Sequence, residues 1–229
     1  MTRRAPTHRK PHTTQVGIDV VLFSIIDDAL CVLLINRQWE PYAHVASLPG
    51  AFLRADETTQ AAAQHVLRTK AGITRPVYME QLYTFDTRGR DPRGDFPTVA
   101  YMTLVPHTAV PLGNSATTQE PHWVPVVRLP RLAFDHELIV RTAVARLRAK
   151  LEYTNIVYSL IPATFTLTRL QRVYEIILGH ALDKRNFRKK YLSLGLIRAT
   201  RGMERGGKQR PARLYRFVSR TPAQLKKFF

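Results

Sequence analysis

Apolar positions fall into distinct patterns along the chain. Two near-continuous apolar runs, Val16 to Ile26 and Ala29 to Ile35, flank Asp27-Asp28. Buried strands read this way, and the two-residue acidic break between them predicts a β-hairpin. Leu48 to Ile73 begins with Pro49-Gly50 and continues as an amphipathic stretch closing near Gly72, which predicts a tight loop followed by a helix. Val77 to Phe85 and Thr98 to Val105 predict two more strands, separated by a turn-rich loop, Arg90-Asp91-Pro92-Arg93-Gly94. A polar loop over Gly113 to Glu120 leads to a short strand, His122 to Val127. A helix is expected from about His136 to Glu152, with Asp135 as N-cap and Val140, Val144, Leu147 and Leu151 as its apolar stripe.

The pattern changes near residue 150. The remainder predicts three helices and a hairpin. Tyr153 to Leu160 is a first segment, ended by Pro162. Thr166 caps a helix running to about Leu178, which Gly179 closes. Leu182-Asp183 opens the next, ended by Gly195, with Phe187, Tyr191, Leu192 and Leu194 as its inner face. Two strand-like runs, LIRATR and RLYRFV, flank a Gly-rich basic stretch. This order predicts a winged helix-turn-helix. The expected organisation is a disordered basic arm (1–15), an α/β domain with a mixed sheet and flanking helices (16–150), and a winged helix-turn-helix (151–229).

Charge sharpens the division. Residues 1–150 carry 18 Lys+Arg and 13 Asp+Glu, whereas residues 151–229 carry 17 and 4. A compact domain this basic suggests a polyanion, most often nucleic acid. A solvated basic face, RNA or acidic lipid remain open on charge alone. On the second helix Lys184, Arg185, Asn186, Arg188, Lys189 and Lys190 cluster. Cations there meet phosphates, and Arg and Asn can read base edges in the major groove. At the hairpin, Arg205, Lys208, Arg210 and Arg213 are placed for backbone or minor groove. Arg3, Arg4, Arg9 and Lys10 of the arm could touch phosphates, but a free solvated tail is the better reading. No run approaches the ~18 apolar residues of a membrane span, and no signal-peptide core follows the basic start. The single cysteine, Cys31, sits in an apolar strand and excludes an intrachain disulfide. These features predict a cytoplasmic protein with a buried, inert thiol.

LPGAFLRADETTQAAAQHVLRTKAGI (48–73) resembles the Nudix box. With its end on Gly72-Ile73, the first position falls on Ala51, the first Glu on Glu57 and the aliphatic position on Leu67. The Arg-Glu pair becomes His65-Val66, and the Glu-Glu pair becomes Thr69-Lys70. Nudix enzymes cleave diphosphates with Mg²⁺, a hard ion that takes carboxylate oxygens. A lysine at position 70 opposes such a site. The frame implies the fold, and the lost glutamates imply no hydrolysis and no bound metal.

Both parts together resemble the NrtR family of Nudix-related transcriptional regulators over about residues 16–218. The stretches that carry this are LPGAF (48–52), GRDPRG (89–94), LPRLAFDH (129–136), FTLTRLQRVYE (165–175), LDKRNFRKK (182–190) and RPARLYRF (210–217). The resemblance implies a catalytically dead Nudix-like sensor and a homodimer on a partly palindromic double-stranded operator. Its usual effector is ADP-ribose or a related NAD catabolite, controlling genes of NAD synthesis or salvage. Some relatives sense pentoses instead, and an active ADP-ribose hydrolase is a further alternative. The implied ligand contacts are Arg37, Pro49, Gly50, Phe52, Glu57, Phe85, Arg88 and Arg90, with Arg37, Arg88 and Arg90 as neutralisers of a diphosphate. The implied DNA contacts add Thr166, Thr168, Arg169 and Tyr215 to those of the basic helix and hairpin. His136 is assigned to the helix start and His44 to a polar loop. Ala51, where many relatives have a second Gly, and Asp95, where an Arg often stands, depart from the pattern near the pocket.

Overall fold

The structure, a computed structural model, describes residues 14–75, 77–110, 120–204 and 211–225. The arm up to residue 13, most of the Gly113–Glu120 loop, and Arg205, Lys208 and Arg210 lie outside the described residues. The elements are β1 (Gly17–Ile26), β2 (Ala29–Asn36), β3 (Ala46–Ser47), β4 (Gly50–Phe52), α1 (Thr59–Ala71), β5 (Tyr78–Phe85), β6 (Thr98–Leu104) and β7 (His122–Pro125). After them come α2 (His136–Leu151), β8 (Phe165–Thr166), α3 (Leu167–Leu178), α4 (Lys184–Ser193), β9 (Ile197–Glu204) and β10 (Ala212–Phe217).

Asp27 and Asp28 both adopt left-handed backbone, with φ of 46° and 59°. Two such residues are what a tight two-residue hairpin needs, and Asp tolerates the region better than most. The resulting β1–β2 hairpin joins a mixed sheet of order β3-β2-β1-β6-β5, in which β1 and β6 run parallel. β4 pairs with β1, and β7 with β2. Alternation along β1 divides its side chains between two layers. Ile18, Val20 and Leu22 face one core with Ala62, Ala63, Val66 and Leu67 of α1. Val21 and Phe23 face the other core, with Ile139, Val140, Ala143 and Leu147 of α2. Asp19 lies between Ile18 and Val20, and so emerges on the α2 side.

The Thr58 hydroxyl caps α1 by accepting the Ala61 N–H at 3.2 Å, and Gly72 closes the helix in left-handed conformation, φ 67°. At α2, Asp135 holds the N-cap position but makes no side-chain cap. Its carboxylate is taken by Arg90 instead, at 2.6 and 2.9 Å. Tyr153 to Leu160 is also not a full helix. Only a 3-10 turn forms, over Ile156–Ser159. Arg220 donates to the carbonyls of Tyr158, Ile161 and Pro162, taking up acceptors that a continuing helix would have used. The strand expected through Val127 stops at Pro125, where a 3-10 turn begins.

In the last part, the Thr166 hydroxyl accepts the Arg169 N–H as expected, and the Asp183 carboxylate accepts the Asn186 N–H, capping the helix that Leu182-Asp183 opens. β8, β10 and β9 form a three-stranded antiparallel sheet beside them. Phe187 and Tyr191 turn inward against Tyr174. Leu192 does not, being 46% exposed. Five residues past Phe187, it lies well off the i, i+4 face that Phe187 and Tyr191 share. Cys31 is buried, and burial, chiefly, pushes its thiol pKa up. Among the described residues no helix is long and apolar enough to cross a membrane.

Candidate functional site

Several distant segments meet at the N-terminal end of β1. These are β1 itself, β4, the loop after β2, the Arg90–Phe96 loop and the start of α2, and they line one cleft. Its floor is a buried polar network. Asp19 accepts the Thr98 hydroxyl at 2.9 Å. It also lies 3.5 Å from Nε2 of His136 and 3.7 Å from the Arg90 guanidinium. His136 Nδ1 accepts the Leu48 N–H at 2.9 Å, which leaves the proton on Nε2, facing Asp19. Burial, above all, holds the His136 pKa below its usual value. Gly50 is required here by space, since a Cβ would come within 2.4 Å of Asp19 Oδ1.

The walls carry cations and rings. Arg37 donates from Nε to the Pro41 carbonyl at 2.8 Å, and its guanidinium lies 4.6 Å from the centre of the Phe134 ring. Arg93 chelates Asp91 through Nε and Nη2, at 3.0 and 2.7 Å. Its guanidinium lies 5.2 Å from the Phe52 ring centre and 5.5 Å from that of Phe134. Burial and then the Arg93 cation lower the Arg37 pKa. An anion between the two arginines would offset both costs.

Of the expected ligand residues, Arg37, Gly50, Phe52 and Arg90 line this cleft, and Pro49, Glu57, Phe85 and Arg88 do not. Pro49 contributes its carbonyl to the Val20 N–H. Glu57 accepts the Arg54 N–H just before α1. Phe85 is buried in the core on the α2 side, and Arg88 is exposed. Arg90 is the main correction. Its side chain is 6% exposed and already neutralised by Asp135, with Asp19 nearby, so it holds the floor together rather than awaiting a diphosphate. Sequence reasoning missed Asp19, Trp39, Phe96, Phe134 and the floor role of His136. Only Arg93, within GRDPRG, carried a local signal.

The box helix does not fit the divalent metal that Nudix chemistry uses. Val66 is fully buried, and the Thr69 hydroxyl donates to the His65 carbonyl. His65 Nε2 receives the Arg54 guanidinium at 3.3 Å, and half-buried Lys70 adds a cation. Among the described residues, no group of three or more His, Cys, Asp or Glu is arranged to hold a metal ion.

In the last part, Lys184, Arg185, Asn186, Lys189 and Lys190 stand exposed on α4. Arg188 is half-buried and donates to the Thr168 hydroxyl at 3.1 Å, tying α4 to α3. Thr166 is 5% exposed and spends its hydroxyl on the cap, which removes it from any outer surface. Arg169 and Arg213 are exposed, and Tyr215 is half-buried on β10.

The NUDIX domain family model matches residues 13–146, and that of the NrtR DNA-binding winged helix domain matches residues 157–217. The chain is 39% identical over 205 residues to an ADPR responsive transcriptional repressor, NtrR, of Acinetobacter baylyi, covering 88% of this chain and 81% of the relative. It is 33% identical to Shewanella oneidensis NrtR crystallised with a 27mer DNA, with a TM-score of 0.78 and coverage of 88% and 93%. The NUDIX domain of that Shewanella protein, crystallised with ADP ribose, is 32% identical with a TM-score of 0.53, covering 61% of this chain and 94% of that one.

Proposed function

Since the chain belongs to the NrtR family of Nudix-related transcriptional regulators, we propose that it is a DNA-binding repressor that senses ADP-ribose and controls genes of NAD synthesis or salvage. We place its sensor in residues 16–150 and its DNA-binding domain in 151–229. It acts in the cytoplasm as a homodimer on a partly palindromic operator. The observation that carries this reading is the joining, in one chain, of a cleft walled by Arg37, Arg93 and aromatic rings to a winged helix whose α4 presents four exposed cations and Asn186.

Guanidinium groups suit a diphosphate, and the rings suit the flat and apolar parts of a nucleotide. The same features support binding without turnover. The positions that hold paired glutamates in Nudix enzymes are Thr69 and Lys70, and neither offers a carboxylate to a metal. Coupling has a physical route. β1 starts in the cleft and ends at the Asp27-Asp28 turn, while α2 starts in the cleft and packs against α3. An effector shifts the equilibrium only by its affinity difference between two arrangements, typically ~1–3 kcal/mol.

The test is to titrate ADP-ribose into a labelled operator complex in EDTA, with AMP, NAD and arabinose as controls. ADP-ribose alone should release the DNA. Release by arabinose instead would assign the protein to pentose sensing. No response to any of them would remove the sensor reading.

A further inference from the structure

Trp39 stands at the mouth of the cleft with 75% of its surface exposed. A single exposed apolar residue needs no explanation. Here the exposed ring is a large one, and it sits where a ligand would enter. Its loop is held in place. The Arg37 N–H bonds to the Val45 carbonyl at 3.1 Å, and the His44 N–H returns to the Arg37 carbonyl at 2.8 Å. The Arg37 side chain reaches the carbonyls of Pro41 and Trp39 from inside the loop. The backbone that carries the indole is thereby ordered before any ligand arrives, which reduces the cost of binding.

The other rings of the cleft are already engaged. Phe134 meets Tyr42 at 5.0 Å and both guanidinium groups, and Phe52 meets Phe96 at 5.5 Å and Arg93. Among the described residues, no ring stacks on the Trp39 indole and no guanidinium lies over its face. Trp39 also borders a more open hollow with Asn36, His44 and Glu120. An open aromatic face next to paired cations matches a ligand with a flat heteroaromatic ring at one end and an anionic group beside it.

We propose that Trp39 is a nucleobase-stacking subsite, which gives the cleft its preference for a base-bearing diphosphate. This rests on the reading of the cleft as an ADP-ribose site. The arginines would hold the diphosphate, and the indole would hold the base at the rim. Stacking tolerates any base, because every base has a π-face. The subsite therefore selects for a base without choosing strictly among bases.

The experiment uses the full chain and ADP-ribose, with binding measured by calorimetry and by tryptophan fluorescence. The chain has two tryptophans. A Trp123→Phe variant leaves Trp39 as the only reporter, and its emission should be quenched on binding. Trp39→Ala should weaken ADP-ribose by roughly 5- to 150-fold, the range that base–aromatic stacking supplies. Trp39→Phe keeps a stacking face and should recover most of that loss. Three results would overturn the subsite. One is an affinity within twofold of wild type for Trp39→Ala. Another is a Trp39→Phe as weak as Trp39→Ala. The third is a change of oligomeric state in Trp39→Ala by sedimentation, which would make the indole a contact between copies of the chain. If the wild-type chain does not bind ADP-ribose at all, the functional reading fails first and the subsite falls with it.

Discussion

Arg172 of α3 lies 3.2 Å from Asp28 in the turn between β1 and β2. The pair links the far end of the strand that carries Asp19 to the helix that supports α4. Both side chains are more than half exposed, so its contribution to stability should be small, about 0–1 kcal/mol. Its effect should be on coupling. Arg172→Gln should leave the melting temperature nearly unchanged. It should alter the ratio of operator affinities with and without ADP-ribose by about 0.5–2 kcal/mol. The difference should shrink in high salt. An unchanged ratio would assign the signal to α2 instead.

The Arg90–Asp135 pair should behave in the opposite way. Asp135→Ala leaves the buried Arg90 guanidinium with only the longer Asp19 contact, at 3.7 Å, and the Phe96 carbonyl, and should cost about 3–5 kcal/mol in urea unfolding. Replacing both partners by leucine should cost less than Asp135→Ala alone. If the single variant is as stable as wild type, the floor of the cleft is not held as described.

His136 gives a pH dependence whose sign is fixed. Burial lowers its folded pKa below the ordinary 6.5, so the unfolded chain takes up the proton first. Stability from this group is full above about pH 6.5 and falls as the pH drops below it, until the folded pKa is reached. The slope is at most ~1.4 kcal/mol per pH unit for one proton. A His136→Gln variant, measured in parallel between pH 7.5 and about 5, should lack that part of the slope. Equal slopes in the two proteins would contradict a buried neutral imidazole.

On DNA, Arg185 and Arg213 should separate. Arg185→Ala, on α4, should cost about 1–3 kcal/mol on the operator and little on random DNA. Arg213→Ala, on the wing, should weaken both and lower the salt slope by about one. Equal losses on both DNAs for both variants would remove this division of labour.

Incubated with ADP-ribose and Mg²⁺ or Mn²⁺, the protein should release no AMP at enzymatic rates. Turnover at roughly 1 s⁻¹ or faster would reinstate the hydrolase reading despite Thr69 and Lys70.

Local features were legible in the sequence. The Asp27-Asp28 hairpin, the cap at Thr166, the helix start at Leu182-Asp183 and the stop at Gly72 depend on neighbours a few residues away. The same holds for the basic face of α4. What was not legible depends on distance. Asp135 looks like a cap until Arg90, 45 positions earlier in the chain, reaches it. Arg90 looks like a free cation for the same reason. Phe134 and His136 enter the cleft only because α2 begins beneath β1, and no spacing within their own segment announces it. Phe85 has the right type and pairs with Thr98 of the cleft floor, but its ring is packed into the core on the α2 side, which its own segment does not announce.

The buried apolar cluster on the α2 side runs without a break from Val21 and Phe23, across Leu147 and Leu151, through Val157 and Ile161, to Tyr174, Phe187 and Phe217. Helix α4 is therefore not a bead on a string. Cut away near residue 150, the C-terminal fragment would carry the faces of Val157 and Ile161 bare into water and should clump or melt early. Kept whole, the chain should show a single calorimetric endotherm. A ligand seated among Arg37 and Arg93 should then raise the temperature at which α4 unravels, although it touches nothing there.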